Sequence, residues 1–162
     1  MVSLDDYKPG IRLAVDFGQV RVGVAKCDSN MVLASAVTTI RVDESLFPNL
    51  LNIIREVVPD VIYVGLPLNL QGSETPSTEK ARAFATELMM QFAHESSNIQ
   101  IRLLDERLTT VTAQSNLRNQ GISQKQSREF IDQLAAVTLL EFAMESEKRQ
   151  QSYAGQLVQF EN

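Results

Sequence analysis

The sequence predicts an α/β fold with a mixed five-stranded sheet flanked by helices. Three β-like runs come first with no helix between them, which favours an antiparallel meander. Strand-like and helical segments then alternate, which favours parallel strands joined by right-handed crossovers. One of these later runs, "DVIYVGLP", is almost wholly apolar, as expected of a strand whose two faces are both covered by helices.

The first half of the chain supplies four strands and one helix. The runs "IRLAVDF" and "VRVGVAKC" flank Gly18-Gln19, a hairpin signal, and "VLASAVTTI" is the third strand. The segment "SLFPNLLNIIREVV" carries apolar residues at helical spacing, and Pro59 ends that helix. The fourth strand, "DVIYVGLP", follows it.

The second half supplies one strand and three helices. Thr75 is a candidate cap for a helix that starts at Pro76, and "IQIRLL" is the fifth strand. A third helix is predicted from Thr109 or Thr110 to Gly121, and a last one from about Arg128 to about Glu147. We therefore expect one domain over residues 11–147, a flexible arm over residues 1–10 and a flexible tail over residues 148–162.

Composition restricts the classes of function. The chain of 162 residues has one cysteine, Cys27, so an intrachain disulfide is excluded and a reducing, cytoplasmic setting is expected. No segment has the length and hydropathy of a membrane span, and the acidic start does not resemble a signal peptide. The net charge of −5 argues against binding nucleic acid through bulk positive charge, but it allows phosphates to be engaged locally through metal ions.

Acidic residues follow apolar segments where a carboxylate is costly to bury. Asp16 ends the first strand, and Asp105 and Glu106 follow the fifth. Asp132 heads an apolar stripe on the last helix, formed by Ala136, Leu139, Leu140 and Ala143. If the first and fifth strands run parallel, Asp16, Glu106 (or Asp105) and Asp132 can converge beyond the carboxyl ends of the strands. Carboxylates without histidine favour Mg²⁺ or Mn²⁺.

Each acid also has a structural interpretation. Asp16 can accept hydrogen bonds from the amides of the following turn. Asp105 or Glu106 can cap the next helix or pair with Arg107. Asp132 can be a first-turn acid that the helix dipole stabilises. A shared cation explains all three together more simply than three separate structural roles do.

Four segments in this order resemble the YqgF/RuvX-type family: "VDFGQVRVGVA", "VGLPLNLQGSE", "LLDERLTT" and "IDQLAAVTLLE". The resemblance covers about residues 11–145. It implies a ribonuclease H-like fold and a nuclease, since the family is described both as a Holliday junction resolvase and as a nuclease that matures the 5′ end of pre-16S ribosomal RNA. It also implies that Asp16, Glu106 with its neighbour Asp105, and Asp132 are the catalytic carboxylates.

The mechanism implied is hydrolysis of a phosphodiester bond with two metal ions, Mg²⁺ or Mn²⁺, held by Asp16, Asp105, Glu106 and Asp132. The expected products carry a 5′-phosphate and a 3′-hydroxyl. Arg21, Arg107 and Lys125 are candidate contacts to flanking phosphates of the substrate. Expected partners are pre-rRNA or branched DNA and ribosomal particles, with the chain acting as a monomer or homodimer away from membranes.

Three other functions are compatible with the sequence. An acid–glycine turn followed by a hairpin also occurs in the phosphate loop of sugar-kinase and actin-like domains, for which ATP binding is the discriminating test. A non-catalytic RNA-binding scaffold would keep its function when Asp16 is changed to Asn. A junction resolvase would favour a dimer, because a four-way junction is two-fold symmetric.

Overall fold

The computed structural model describes residues 6–92, 98–107 and 124–159, with the backbone alone for residues 124–129. Its strands are β1 (Arg12–Phe17), β2 (Arg21–Cys27), β3 (Ala34–Arg41), β4 (Val61–Leu66), β5 (Gln100–Asp105) and β6 (Gln156–Leu157). Its helices are α1 (Leu46–Val57), α2 (Pro76–Phe92) and α3 (Gln124–Gln150). The helix predicted from Thr109 or Thr110 to Gly121 lies outside the described residues.

The strands form one mixed sheet in the order β3-β2-β1-β4-β5-β6. The strands β1, β2 and β3 form the predicted antiparallel meander, while β4 lies parallel to both β1 and β5. This parallel set brings the carboxyl ends of β1, β4 and β5 to the same edge of the sheet. The predicted fold class is confirmed.

The two faces of the sheet are covered by different helices. Buried residues of α1 and α2, such as Leu50 and Phe84, share one core cluster with Leu13 and Val15 of β1. On the other face, α3 packs its predicted apolar stripe against small side chains, among them Ala14 and Ala25. These small residues let the α3 backbone approach the sheet closely, which determines where Asp132 lies.

The C-terminal segment differs from its prediction. The last helix extends to Gln150, and the sheet has six strands rather than five because β6 pairs with β5. Gly155 makes this possible: its φ is 65°, and a Cβ there would lie 2.1 Å from the carbonyl oxygen of Leu103. Residues 151–159 are therefore part of the packed fold, with Ala154 buried.

Residues at the N-terminal end also contact the fold. The ring of Tyr7 lies edge-on to the ring of Tyr153 at 5.1 Å between centroids. The carbonyl oxygen of Lys8 accepts a hydrogen bond from the Arg12 guanidinium at 2.7 Å. Within the described residues, no helix is long and apolar enough to cross a membrane.

Candidate functional site

The structure brings Asp16 and Glu106 into direct contact. Asp16 is the fifth residue of β1, and Glu106 directly follows β5 at the same edge of the sheet. The backbone N–H of Glu106 donates to the carbonyl oxygen of Leu66 at 3.3 Å, which extends the β4–β5 pairing by one step. The two carboxyl groups are hydrogen-bonded to each other. Only one strand, β4, separates β1 from β5, and this spacing allows the side chains to meet.

The contact changes the protonation of both acids. Burial, followed by the negative charge of Asp16, raises the pKa of Glu106 from 4.5 to about 9. Burial also raises the pKa of Asp16, and the charge of Asp132 adds to that rise. Near neutral pH and without a cation, the pair therefore holds a proton that Glu106 donates to Asp16. A bound cation would replace this proton.

A glycine in β4 makes room for the Glu106 carboxylate. A Cβ at Gly65 would lie 2.4 Å from Oε2 of Glu106. Gly65 belongs to the "GLP" segment that resembles the family motif, and it is buried within β4. Because Gly65 has no side chain, the Glu106 carboxylate can lie against β4.

Asp132 lies near the pair but is engaged by an arginine. Its Oδ2 accepts a hydrogen bond of 2.6 Å from Nε of Arg21 at the start of β2, and both side chains are partly exposed. The α3 backbone reaches this position because β2 has no side chain at Gly23, where a Cβ would lie 1.9 Å from the carbonyl oxygen of Asp132. Arg21, predicted as a substrate contact, thus orients one of the predicted acids.

Asp105 takes the structural role that the sequence left open. Both of its oxygens accept hydrogen bonds from the Arg107 guanidinium, at 2.6 to 3.1 Å, and Oδ1 also accepts from the Arg107 backbone N–H. Burial alone would raise the pKa of Asp105, but these bonds outweigh it and lower the pKa. Of the two neighbouring acids, Glu106 is the one that points at Asp16.

The donor set fits a hard divalent cation at the Asp16–Glu106 pair. Both side chains offer oxygen ligands. When both are ionised, the two carboxylates in contact repel each other, and a bound proton or cation relieves this repulsion. Within the part of the chain that the structure describes, three potential ligands do not gather into one cluster. Asp132 would complete such a set through its other carboxylate oxygen, Oδ1, while Arg21 keeps its hydrogen bond to Oδ2.

One cation at the site was not identified from the sequence. Lys80, in the second turn of α2, lines a cavity of about 180 Å³ together with Gln19, Pro67, Ser77 and Glu106. The sequence does contain a signal for Lys80: the residue lies near the start of the helix that follows the "GLP" strand, and that helix begins at the carboxyl edge of the sheet. The side chain of Lys125, the third predicted phosphate contact, lies outside the described residues.

Comparison with known proteins identifies the family. The RuvX family model, described as "Holliday junction resolvase", matches residues 10–146. The chain belongs to the RuvX family. Within this family, a relative from Streptomyces avermitilis named "Putative pre-16S rRNA nuclease" is 44% identical over 86% of this chain and 88% of its own. A relative of the same name from Clavibacter sepedonicus is 39% identical over 92% and 91% of the two chains.

A solved structure confirms the predicted ribonuclease H-like fold. The structure described as T. thermophilus RuvC in complex with Holliday junction substrate matches with a TM-score of 0.56. The match covers 92% of this chain and 99% of that one at 11% identity, so it supports the fold alone. Together these comparisons confirm the predicted family and fold and support the prediction of a nuclease.

Proposed function

We propose that this chain is a cytoplasmic, metal-dependent nuclease that hydrolyses phosphodiester bonds in the maturation of the 5′ end of pre-16S rRNA. The relatives from Streptomyces avermitilis and Clavibacter sepedonicus support the substrate, because they are 44% and 39% identical to this chain and carry the name "Putative pre-16S rRNA nuclease". Association with ribosomal particles, as a monomer or homodimer, belongs to the same proposal.

The observation that carries the proposal is the hydrogen-bonded pair of Asp16 and Glu106 at the carboxyl edge of the sheet. These two carboxylates would hold Mg²⁺ or Mn²⁺, and Asp132 would join them in a site for two ions. When bound, such ions activate a water nucleophile and stabilise the charge that develops on the leaving oxygen. Without a cation, the acidic pair would repel the phosphate backbone.

The surrounding side chains position the acids and the substrate. Arg21 holds Asp132 in place through its 2.6 Å hydrogen bond. Lys80 lines the cavity beside Glu106, where its ammonium group can neutralise a phosphate next to the scissile bond. Arg107 is fixed by Asp105 at the same edge and can contact a flanking phosphate with its remaining donors.

The test is cleavage of labelled precursor rRNA, single-stranded DNA and a four-way DNA junction by the purified chain, with Mg²⁺ and with Mn²⁺. We expect cleavage of the rRNA with 5′-phosphate and 3′-hydroxyl ends. Asp16→Asn and Glu106→Gln should each lower the rate at least about 100-fold. Asp105→Asn is the matched control among neighbouring acids and should lower it much less.

The alternatives give different outcomes in the same experiment. Preferred cleavage of the four-way junction would assign a resolvase, consistent with the description of the family model. Cleavage that survives Asp16→Asn would remove the acidic pair from the mechanism. RNA binding without cleavage under either metal would indicate a scaffold.

A further inference from the structure

A second polar surface begins next to Asp132. It is a groove of about 430 Å³ between α3 and the outer strands of the sheet. We call it the β2–β3 groove, and it is lined by Arg21, Thr38, Thr39, Arg41 and Gln133. Since Gln133 follows Asp132 in α3, and Arg21 both lines the groove and binds Asp132, the groove is continuous with the candidate catalytic site.

Two arginines lie side by side in the lining of this groove. Arg21 and Arg41 are direct partners in the antiparallel β2–β3 ladder. Like charges in directly opposed positions destabilise a sheet unless something neutralises them. Asp132 compensates Arg21, but Arg41 is exposed and makes no salt bridge to any residue that the structure describes.

The acid nearest to Arg41 in sequence compensates it only through its charge, without a salt bridge. Asp43, two residues beyond Arg41, is exposed, and its Oδ1 accepts hydrogen bonds from the backbone N–H and the hydroxyl of Ser45. The hydrogen bonds from Ser45, and then the charge of Arg41, lower the pKa of Asp43. The two side chains thus interact electrostatically, but they form no salt bridge, and Asp43 does not line the groove.

The groove has the chemistry of a phosphodiester site. Guanidinium groups form charge-assisted, forked hydrogen bonds with phosphate oxygens, and hydroxyl and amide groups add further bonds. Among the residues whose side chains the structure describes, the groove lining includes no acid, in a chain whose net charge is −5. A local cationic groove beside an acidic centre can bind the phosphates of a nucleic-acid strand where that strand leaves the centre.

We propose that the β2–β3 groove binds a backbone phosphate of the substrate strand next to the scissile bond, with Arg41 as the main contact. This inference rests on the proposed nuclease function and adds to it the path of the strand, across β2 and β3. Arg21 then has two partners, Asp132 and the strand, and links substrate binding to the orientation of the acid.

The test compares Arg41→Gln with Arg55→Gln. Arg55 lies on the exposed face of α1 and lines no part of the groove, so it is the matched control for loss of one positive charge. Binding of a single-stranded RNA that spans the cleavage site is measured with Mg²⁺ in an Asp16→Asn background. Cleavage kinetics are measured with Asp16 intact.

We expect Arg41→Gln to weaken RNA binding about 10-fold and to reduce the slope of log affinity against log salt concentration by about 0.7, the value for one lost phosphate contact on a single strand. KM should rise by a similar factor while kcat changes less than about two-fold. Arg41→Lys should restore the salt slope, because it restores the charge, but only part of the affinity. Arg55→Gln should change none of these quantities.

A strand of DNA with the same sequence distinguishes the source of the phosphate. If Arg41→Gln weakens binding of RNA and DNA equally, the contact is with the phosphate backbone that both share. If it weakens binding of RNA alone, the contact is supported and is specific to RNA. If Arg41→Gln behaves like Arg55→Gln, or if the Asp16→Asn parent binds neither strand, the inference is overturned. Absence of cleavage by the unmodified chain, with the Arg41→Gln binding defect intact, would instead refute the nuclease function alone.

Discussion

At the scale of single residues, the site depends on two glycines, which leave room for the acids, as much as on the acids themselves. Gly65 of β4 has no side chain where the Glu106 carboxylate lies, and Gly23 of β2 has none where the Asp132 backbone lies. The neighbour of Gly65 is the end of a flexible side chain, while the neighbour of Gly23 is the backbone of α3. The same substitution should therefore disturb activity at one position and stability at the other.

Gly65→Ala should lower the cleavage activity without unfolding the chain. The new methyl group would displace the Glu106 carboxylate from Asp16, and we expect cleavage to fall at least about 10-fold. The thermal unfolding midpoint should change little, because only a flexible side chain must move. In a Glu106→Ala background, where the obstacle is absent, Gly65→Ala should have no further effect on the rate. Full activity of Gly65→Ala would contradict the placement of Glu106.

Protonation of Glu106 should make the stability of the metal-free protein depend on pH. The unfolded chain loses this proton near pH 4.5, but the folded chain keeps it up to a pKa of about 9. Folding therefore binds a proton between these pH values, so the free energy of unfolding falls as pH rises, by at most about 1.4 kcal/mol per pH unit. Glu106→Gln removes this dependence and should stabilise the metal-free chain at pH 9 relative to the unmodified chain.

Urea unfolding in EDTA at pH 5, 7 and 9 measures the effect. The stability difference between Glu106→Gln and the unmodified chain should grow steadily across this range. Asp105→Asn is the control, since the pKa of Asp105 is lowered in the folded chain and its substitution should produce no such growth. A difference that stays constant from pH 5 to pH 9 would show that Glu106 is not held protonated by the fold.

At the scale of elements, α3 connects the site to the core. Its apolar stripe packs on the small residues of β1 and β2, and its start carries Asp132 and Gln133 to the edge of the sheet. At the other edge of the sheet, the short strand β6 pairs with β5. The segment just before β6 is held by the Arg102 guanidinium, which donates to the carbonyl oxygens of Ala154 and Gly155 at 2.5 and 3.1 Å.

Gly23→Ala should destabilise the fold by about 1–3 kcal/mol or more, because the added methyl group can be accommodated only if the α3 backbone moves away from β2. Chemical denaturation measures this loss. Gly65→Ala on nearby β4 is the comparison, with a change expected to be well below 1 kcal/mol. Equal stability of the two variants would mean that α3 does not approach β2 as closely as the structure indicates.

At the scale of the whole molecule, one buried charge cluster joins the two ends of the described chain. Arg12 of β1 and Glu147 of α3 are both 0% exposed and form two hydrogen bonds, of 2.8 and 3.0 Å. The Tyr63 hydroxyl donates to Glu147 at 2.7 Å and accepts from the backbone N–H of Ala154 at 3.1 Å. The cluster thus fixes β1, β4, α3 and the C-terminal segment to one another.

Glu147→Gln should destabilise the chain by about 3–5 kcal/mol, because it leaves the charge of Arg12 buried and uncompensated. The double variant Arg12→Met with Glu147→Leu should recover much of this loss, since it removes both charges. Glu145→Gln, on the exposed face of the same helix, is the control and should change the free energy of unfolding by less than about 0.5 kcal/mol. A loss below 1 kcal/mol for Glu147→Gln would contradict the role of this cluster.

The sequence by itself determined the fold class, the family and the candidate acids. Periodic apolar spacing and turn residues are local signals, so β1 to β5, α1 and α2 were predictable from neighbours along the chain. The sequence also placed acids at the carboxyl ends of β1 and β5, because strand direction follows from the order of the elements.

Only the tertiary structure decided which acids meet and which arginines hold them. Asp105 and Glu106 are adjacent in sequence, yet one pairs with Arg107 and the other with Asp16. Likewise, β6 and the Arg12–Glu147 pair depend on contacts between residues more than 50 positions apart. Such contacts leave no periodic signal in the sequence, because they arise from the register of the strands and from the room that Gly23, Gly65 and Gly155 leave beside them.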